Sequence, residues 1–339
     1  MLIVRIAHPE DLPALEALAH SSGGGLTTLP LDREVLARKL QRADTTWRTL
    51  QGNDDGLFLF VLEDVRSGKV VGVSGIETAV GLTQPWYTYS VGLIVHASTE
   101  LNIHHRYPTL FLTNDHTGCS ELCSLFLHPD YRRFQAGALL SKARFLFMAQ
   151  QRNLFADKTI AELRGVINRQ GVSPFWESLG RHFFEMDFSD ADYLSAVSNK
   201  QFIAELMPRY PFYTHLLPAD AQAVIGCEHR DTTPARRMLE QEGFRYEGYV
   251  DIFDAGPTVE TYTDQIRALQ DSRLLLPAEL QQCAQARWLV ANPARQQFRC
   301  TLYDPAGKND YCDDVMLVWQ ALQLAPDQPA RAVALYPAA

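Results

Sequence analysis

Runs of apolar residues, some alternating and some at helical spacing, divide most of the chain into strands and helices. Leu2-Ile3-Val4-Arg5-Ile6-Ala7 reads as a short strand. After Pro9, Leu12, Leu15, Leu18 and Ala19 recur at the spacing of one helix face. Ser21-Ser22-Gly23-Gly24-Gly25 predicts a mobile loop, and beyond it Val35, Leu36 and Leu40 stripe a second helix from about Asp32. A loop of this kind between two early helices often borders a binding site.

Leu57–Glu63, Val70–Ala79 and Trp86–Val95 are β-rich segments separated by Gly and Asp, the pattern of an antiparallel meander. A further strand, Glu121–Leu127, stops at His128-Pro129-Asp130. A long helix is then predicted from Arg132 to Gln151, with Leu139, Leu140, Ala143, Phe147 and Met148 on its buried side. Beyond it the pattern predicts strands at Thr159–Val166 and Phe183–Phe188 and helices at Pro174–Leu179 and Tyr193–Met207. A helix closed by Gly and followed by a strand spans Pro234–Phe244 and echoes Pro174–Gly180, so a weak internal duplication with its second part from about residue 200 is possible, though such junctions are common. After about residue 270 come short extended pieces, Arg287–Val290 and Phe298–Tyr303, a turn at Asp304-Pro305-Ala306-Gly307, a helix near Val315–Leu322 and a strand at Ala330–Leu335. The expected organisation is therefore an α/β unit over 1–268, with its boundary near 265–272, and a small β-rich, barrel-like module over 269–339.

Composition narrows the class. The chain has 339 residues, 46% hydrophobic and 21% charged, enough for a large core and unlike a disordered or collagenous chain. Its net charge of −9 argues against a general nucleic-acid binder. The N-terminal apolar run is too short for a signal-peptide core, and no run approaches the roughly 18 apolar residues of a membrane helix, so a cytoplasmic protein without a membrane partner is expected. The six cysteines form no CxxC pair and suit a reducing compartment.

The segment with the most chemistry is Leu125-Phe126-Leu127-His128-Pro129-Asp130-Tyr131-Arg132-Arg133-Phe134-Gln135-Ala136-Gly137-Ala138. A strand enters a turn with two arginines, and the turn opens a long helix whose first N–H groups can cradle a pyrophosphate. From His128 to Arg152, Arg132, Arg133, Lys142, Arg144 and Arg152 face the single acid Asp130, a local basic patch in an acidic protein. Composition alone leaves simply solvated arginines equally open. His104-His105 and the Asp115-His116, Cys119, Cys123 grouping do not have structural-zinc spacing, so no metal is expected.

Arg132, Gln135 and Gly137 in this order resemble the acyl-CoA signature of the GNAT N-acyltransferase superfamily, with Gln135 where the first glycine is usual. Cys123–Pro129, Cys227-Glu228-His229, Ala235–Glu240 and Asp251–Glu260 together resemble the arginine N-succinyltransferase family over nearly the whole chain. The resemblance implies a GNAT-like mixed sheet flanked by helices. It also implies transfer of succinyl from succinyl-CoA to the α-amino group of L-arginine, in arginine catabolism. Succinyl-CoA would be a co-substrate, with no cofactor permanently bound, and the enzyme a homo-oligomer. Succinyl-CoA would be held by Leu125, Arg132, Arg133, Gln135, Ala136, Gly137 and Ala138, with Leu125 acting through its main chain where two strands splay apart. His229, in the polar turn Cys227–Asp231, would be the general acid that protonates the CoA thiolate. His128 is read as structural.

A guanidinium acceptor calls for carboxylates, and Asp251, Asp254 and Glu260 are one candidate source, with strand capping at the surface equally open. Nothing in the sequence selects the cation that would meet the succinyl carboxylate. Two alternatives stay open: an acyltransferase for another amine such as ornithine, and a catalytically silent acyl-CoA-binding subunit.

Overall fold

The computed structural model describes all residues except 23–27, 134, 198–200, 284–286, 307–311 and 338–339. Gly23–Gly25 of the expected loop, Phe134 of the signature and Gly307 of the late turn lie outside the described residues. The strands are β1 Leu2–Ile6, β2 Leu57–Asp64, β3 Lys69–Glu77, β4 Thr88–Ser98, β5 Ile103–Thr113, β6 Ser120–Leu127, β7 Lys158–Glu162, β8 Phe212–Tyr213, β9 Arg245–Val250, β10 Pro257–Tyr262, β11 Arg273–Leu275, β12 Trp288–Ala291, β13 Arg299–Tyr303 and β14 Ala330–Ala334. The helices are α1 Leu12–Ser21, α2 Arg33–Thr49, α3 Ala136–Gln150, α4 Pro174–Ser178, α5 Gly180–Phe184, α6 Phe188–Val197, α7 Gln201–Leu206, α8 Ala219–Val224, α9 Thr233–Gln241, α10 Arg267–Asp271, α11 Pro277–Gln282 and α12 Val315–Ala321.

All these strands join one mixed sheet in the order β11-β14-β12-β13-β1-β2-β3-β6-β7-β10-β9-β4-β5-β8. The α/β class expected from the pattern is the one found. Alternation along β2 serves both layers: Leu57, Leu59 and Val61 pack with α1 and α2, whereas Phe58, Phe60 and Leu62 pack with α3. The segment after residue 268 supplies β11 to β14 and has its own core around Trp319, while β13 pairs with β1 and so continues the central sheet.

Helix α3 is buried along nearly its whole length, packed against strands β1, β3, β6, β12 and β13 of the sheet and against α10. It begins at Ala136 rather than at Arg132. Pro129 starts a 3-10 turn over Pro129–Tyr131, and Arg132 leaves helical geometry at φ −72, ψ 50.

Phe183–Phe188, expected as a strand, instead ends α5 and begins α6, with left-handed Glu185 (φ 53) between them. Phe184 and Phe188 both pack on Trp176, and a short apolar run fits that inward packing as a helix as readily as a strand. The two echoing segments also end differently: Pro174–Gly180 leads into α5, whereas Pro234–Phe244 leads into β9.

Candidate active site

Strand β6 departs from regular geometry at Ser124, whose φ is +55. Its register with β3 shifts there, from Val73 opposite Phe126 to Gly75 opposite Cys123. Such a bulge frees main-chain groups from the ladder. The buried Arg144 of α3 takes up carbonyls at this point, donating from Nη1 to Gly75 O at 3.2 Å and Cys123 O at 3.4 Å. Burial lowers its guanidinium to about 10, with Cys123 and Glu121 opposing.

On its other edge β6 pairs with β7 in parallel, but only at Ser120 with Thr159 and Glu121 with Ile160. Past those positions Leu122–Leu125 and Ala161–Arg164 line a cavity of about 870 Å³ between the two diverging segments. Arg38, Lys39 and Arg42 of α2 contribute to its wall, as do Arg144, Asp192, Thr232, Ala235, Asp251 and Asp254. The size suits one elongated ligand.

The turn after β6 leads to the start of α3. Gln135, at the helix N-cap, is left-handed at φ 58, ψ 15. That is the conformation glycine adopts freely, so the residue that departs from the GNAT signature keeps a glycine-like backbone. Gly137 and Ala138 occupy the first turn, where N–H groups have no intrahelical acceptor. Ala136 is buried, and its N–H donates to Arg133 O at 3.1 Å.

The basic patch expected over 128–152 is reduced on folding. Arg132 and Arg133 are exposed beside the turn. Lys142 is buried against Glu242 at 2.9 Å, Arg144 is consumed at the bulge, and Arg152 pairs with Asp264 at 2.6 Å and Asp157 at 3.3 Å. Counting charges along a helix overstates a patch because successive residues point to different faces.

His229 is tied to the end of β7. Its N–H donates to Arg164 O at 2.7 Å, and neighbouring Glu228 bridges to Gly165. The ring turns Nδ1 toward Asp231, 3.3 Å from its N and 3.8 Å from Oδ2. His229 itself is not in the cavity wall, but Thr232 is, and Thr232 donates to His229 O through both its N–H, at 2.9 Å, and Oγ1, at 2.8 Å. His128 has a matching turn, with Nδ1 3.3 Å from Asp130 N.

The three candidate acceptor acids separate. Asp251 and Asp254 both line the cavity, in a loop where Asp251 Oδ1 accepts from the N–H groups of Phe253 and Asp254 at 2.7 and 2.9 Å. Asp254 accepts from Gly165 N and Gly256 N, each at 2.8 Å, and lies 3.5 Å from Arg164 Nε. Burial and the Asp251 charge push its carboxyl upward, against Arg164 and the two amides. Arg164 also pairs with Asp192 at 2.9 Å, so the guanidinium these acids hold in this structure is one of the chain's own. Glu260 lies apart in β10, bound to His116 Nε2 at 2.7 Å and Lys158 Nζ at 2.6 Å.

A glycine is required at 165, because a Cβ there would stand 2.3 Å from Asp254 O. Lys39, Arg164 and Asp192 escaped the sequence reading. Lys39 sits among the polar positions of α2, and Arg164 and Asp192 meet only through tertiary contacts. Among the described residues, no group of three or more His, Cys, Asp or Glu could hold a metal, and no helix is long and apolar enough to cross a membrane.

Residues 2–268 match the family model described as arginine N-succinyltransferase beta subunit. The chain belongs to the arginine N-succinyltransferase family. It is 53% identical to an arginine N-succinyltransferase of Enterobacter sp. (strain 638) over 321 residues, covering 94% of this chain and 92% of the relative. It is 52% identical to that of Escherichia coli (strain K12 / DH10B) over 311 residues, 90% of each chain. The solved arginine/ornithine succinyltransferase subunit AI from Pseudomonas aeruginosa superposes with a TM-score of 0.85 at 32% identity, over 99% of both chains. An arginine N-succinyltransferase is an acyltransferase, the class to which the turn after β6 pointed.

Proposed function

We propose that this protein transfers succinyl from succinyl-CoA to the α-amino group of L-arginine, in the cytoplasm and in arginine catabolism. The observation that carries the reading is the cavity opened where β6 and β7 part, with the bulge at Ser124 on one wall; the first turn of α3 follows the turn after β6 and is not itself in the cavity lining. Family membership supplies the substrate pair.

In this reading the pyrophosphate lies on the N–H groups of Gln135, Gly137 and Ala138, where it meets unpaired donors and the positive end of the helix dipole. Arg132 and Arg133 add charge beside it, and Ala136 lends a small buried side chain that seats the turn. The pantetheine follows the edge of β6, and the main chain at Leu125 holds the thioester carbonyl.

The neutral α-amine attacks the carbonyl carbon, and negative charge collects on oxygen. Main-chain donors fixed in place lower that barrier because they need no reorganisation. The intermediate collapses with loss of the C–S bond, the nitrogen loses a proton, and His229 Nε2 delivers a proton to the thiolate. The Asp231 N–H and carboxylate lie 3.3 and 3.8 Å from Nδ1 and orient the ring. Asp251 lines the acceptor side of the cavity, and Asp254 acts through Arg164 and Gly165 rather than on the substrate.

The test is thiol release from succinyl-CoA in the presence of L-arginine, with the product identified by mass. His229→Ala is expected to lose about 10²- to 10⁴-fold in kcat with little change in the KM for succinyl-CoA. Full turnover by His229→Ala removes the acid from the scheme. Thiol release with ornithine but not arginine reassigns the acceptor, and binding of succinyl-CoA without turnover favours the silent subunit.

A further inference from the structure

The bulge in β6 lies between two cations that approach from opposite layers, Arg144 from α3 and Lys39 from α2. They are not equivalent. Arg144 is 2% exposed, and its donors go to Ser141 O, Ser141 Oγ, Gly75 O and Cys123 O, so it is a structural support for the bulge.

Lys39 is half-buried in the cavity wall. Its Nζ donates to Ser124 Oγ at 2.8 Å and to Thr28 O, which occupies two of the three ammonium donors. Among the described residues no carboxylate lies within ion-pair distance of it. Its neighbours on α2 differ: Arg42 is held by Glu77 at 2.7 Å and by Asp55, and Arg38 pairs with Glu34 at 3.9 Å. A partly desolvated ammonium with neutral partners and a donor to spare is complementary to an anion.

Its position selects the anion. Lys39 binds the side chain of Ser124, the residue preceding Leu125, and all three line the same cavity. A thioester carbonyl held on the main chain at Leu125 puts the free carboxylate of a succinyl group only two methylenes farther on.

We infer that Lys39 pairs with the terminal carboxylate of a dicarboxylic acyl group and so selects succinyl over an uncharged acyl chain of the same length. This rests on the acyl-CoA site proposed above and adds the residue that discriminates between donors. It is a specificity residue, and the bond-making steps are unchanged by it.

Two thioethers of CoA that cannot react, S-(3-carboxypropyl)-CoA and S-butyl-CoA, test it by titration calorimetry on the full chain. The wild type is expected to bind the carboxylate analogue about 10- to 150-fold more tightly, the range of a charge-assisted hydrogen bond. Lys39→Met should abolish that preference while changing the affinity for S-butyl-CoA by less than about 3-fold. Lys39→Arg, which keeps a cation, should retain most of the preference.

A Lys39→Met protein that still prefers the carboxylate analogue overturns the inference. So does one in which both analogues weaken alike, since that is a packing effect. If Lys39→Met instead keeps the preference but no longer favours arginine over agmatine, which lacks the carboxylate, Lys39 serves the acceptor and the inference is wrong. A wild type that shows the binding preference but releases no thiol with arginine leaves Lys39 in place and refutes only the proposed reaction.

Discussion

Glu242→Gln probes what holds α3, and with it the turn at Gln135, against the rest of the molecule. Glu242 is fully buried just after α9. Its Oε1 lies 2.9 Å from Lys142 Nζ and 2.7 Å from Arg267 Nη2, and its Oε2 accepts from Ala268 N at 2.9 Å. Lys142 also donates to Leu335 O at 2.8 Å and lies 4.8 Å from the ring of Tyr336, whose hydroxyl reaches Gln135 Oε1. The cluster therefore joins α3, α9, α10 and the C-terminal strand at one point.

Gln has the shape of Glu but no charge, so Lys142 is left as a buried cation without a counter-ion. Removing one partner of a buried pair costs about 3–5 kcal/mol, a large share of the roughly 5–15 kcal/mol that keeps a domain folded. Burial already lowers the Lys142 ammonium below the usual lysine range, with Glu242 opposing. In Glu242→Gln that opposition is gone and the pKa falls further. The folded variant then binds fewer protons than the unfolded one in the window below the ordinary lysine value, so its stability rises with pH there and the loss narrows.

The assay is urea unfolding of the wild type, Glu242→Gln, Lys142→Met and the double variant at neutral pH and near pH 10. We expect the double variant to recover at least about 2 kcal/mol of the single loss. A Glu242→Gln protein within about 1 kcal/mol of the wild type, or a cycle without coupling, would show that the charges are not what holds the junction.

Two further outcomes follow from the same structure. Gln135→Gly should leave stability within about 1 kcal/mol of the wild type and preserve CoA binding, because the left-handed backbone needs no side chain; Gln135→Val should lose about 1–2 kcal/mol, and equal melting temperatures for both would contradict the strain argument. Asp192 is pushed up to about 6 by burial, with Arg164 holding it back, from an ordinary 3.8. Its contribution to stability is thus complete below the ordinary carboxylate range and disappears as pH rises through 6. Unfolding curves of Asp192→Asn and the wild type should separate in the variant's favour by about 3 kcal/mol between pH 3.5 and 7, and parallel curves would refute the shift.

Local reading worked where one residue's neighbours in sequence are also its neighbours in space. The apolar run at Leu2–Ile6, the stripe of α2 and the strand-turn-helix from Ser120 to Gln150 were all legible. Strand β5 was not, because His104, His105, Arg106 and Pro108 break the apolar pattern and its partner is the exposed length of β4. Strand β10 was hidden because the acids Asp254 and Glu260 mask a segment that becomes an interior strand only through pairing with the distant β7 on one side and β9 on the other.

The chain by itself determined the α/β class and the family, since these rest on spacing and on short contiguous blocks. Only the tertiary structure decided which charges remain available. Lys142, Arg144 and Arg152 are spent on burial or ion pairs, Glu260 is bound by His116 and Lys158, and Asp254 is held by Arg164 and two amides. Lys39, an ordinary lysine on a helix, becomes distinctive because its ammonium is held by the neutral Ser124 Oγ and Thr28 O, with no carboxylate among the described residues paired to it. The physical reason is that charges act through distance and dielectric, and both are set by how remote segments pack.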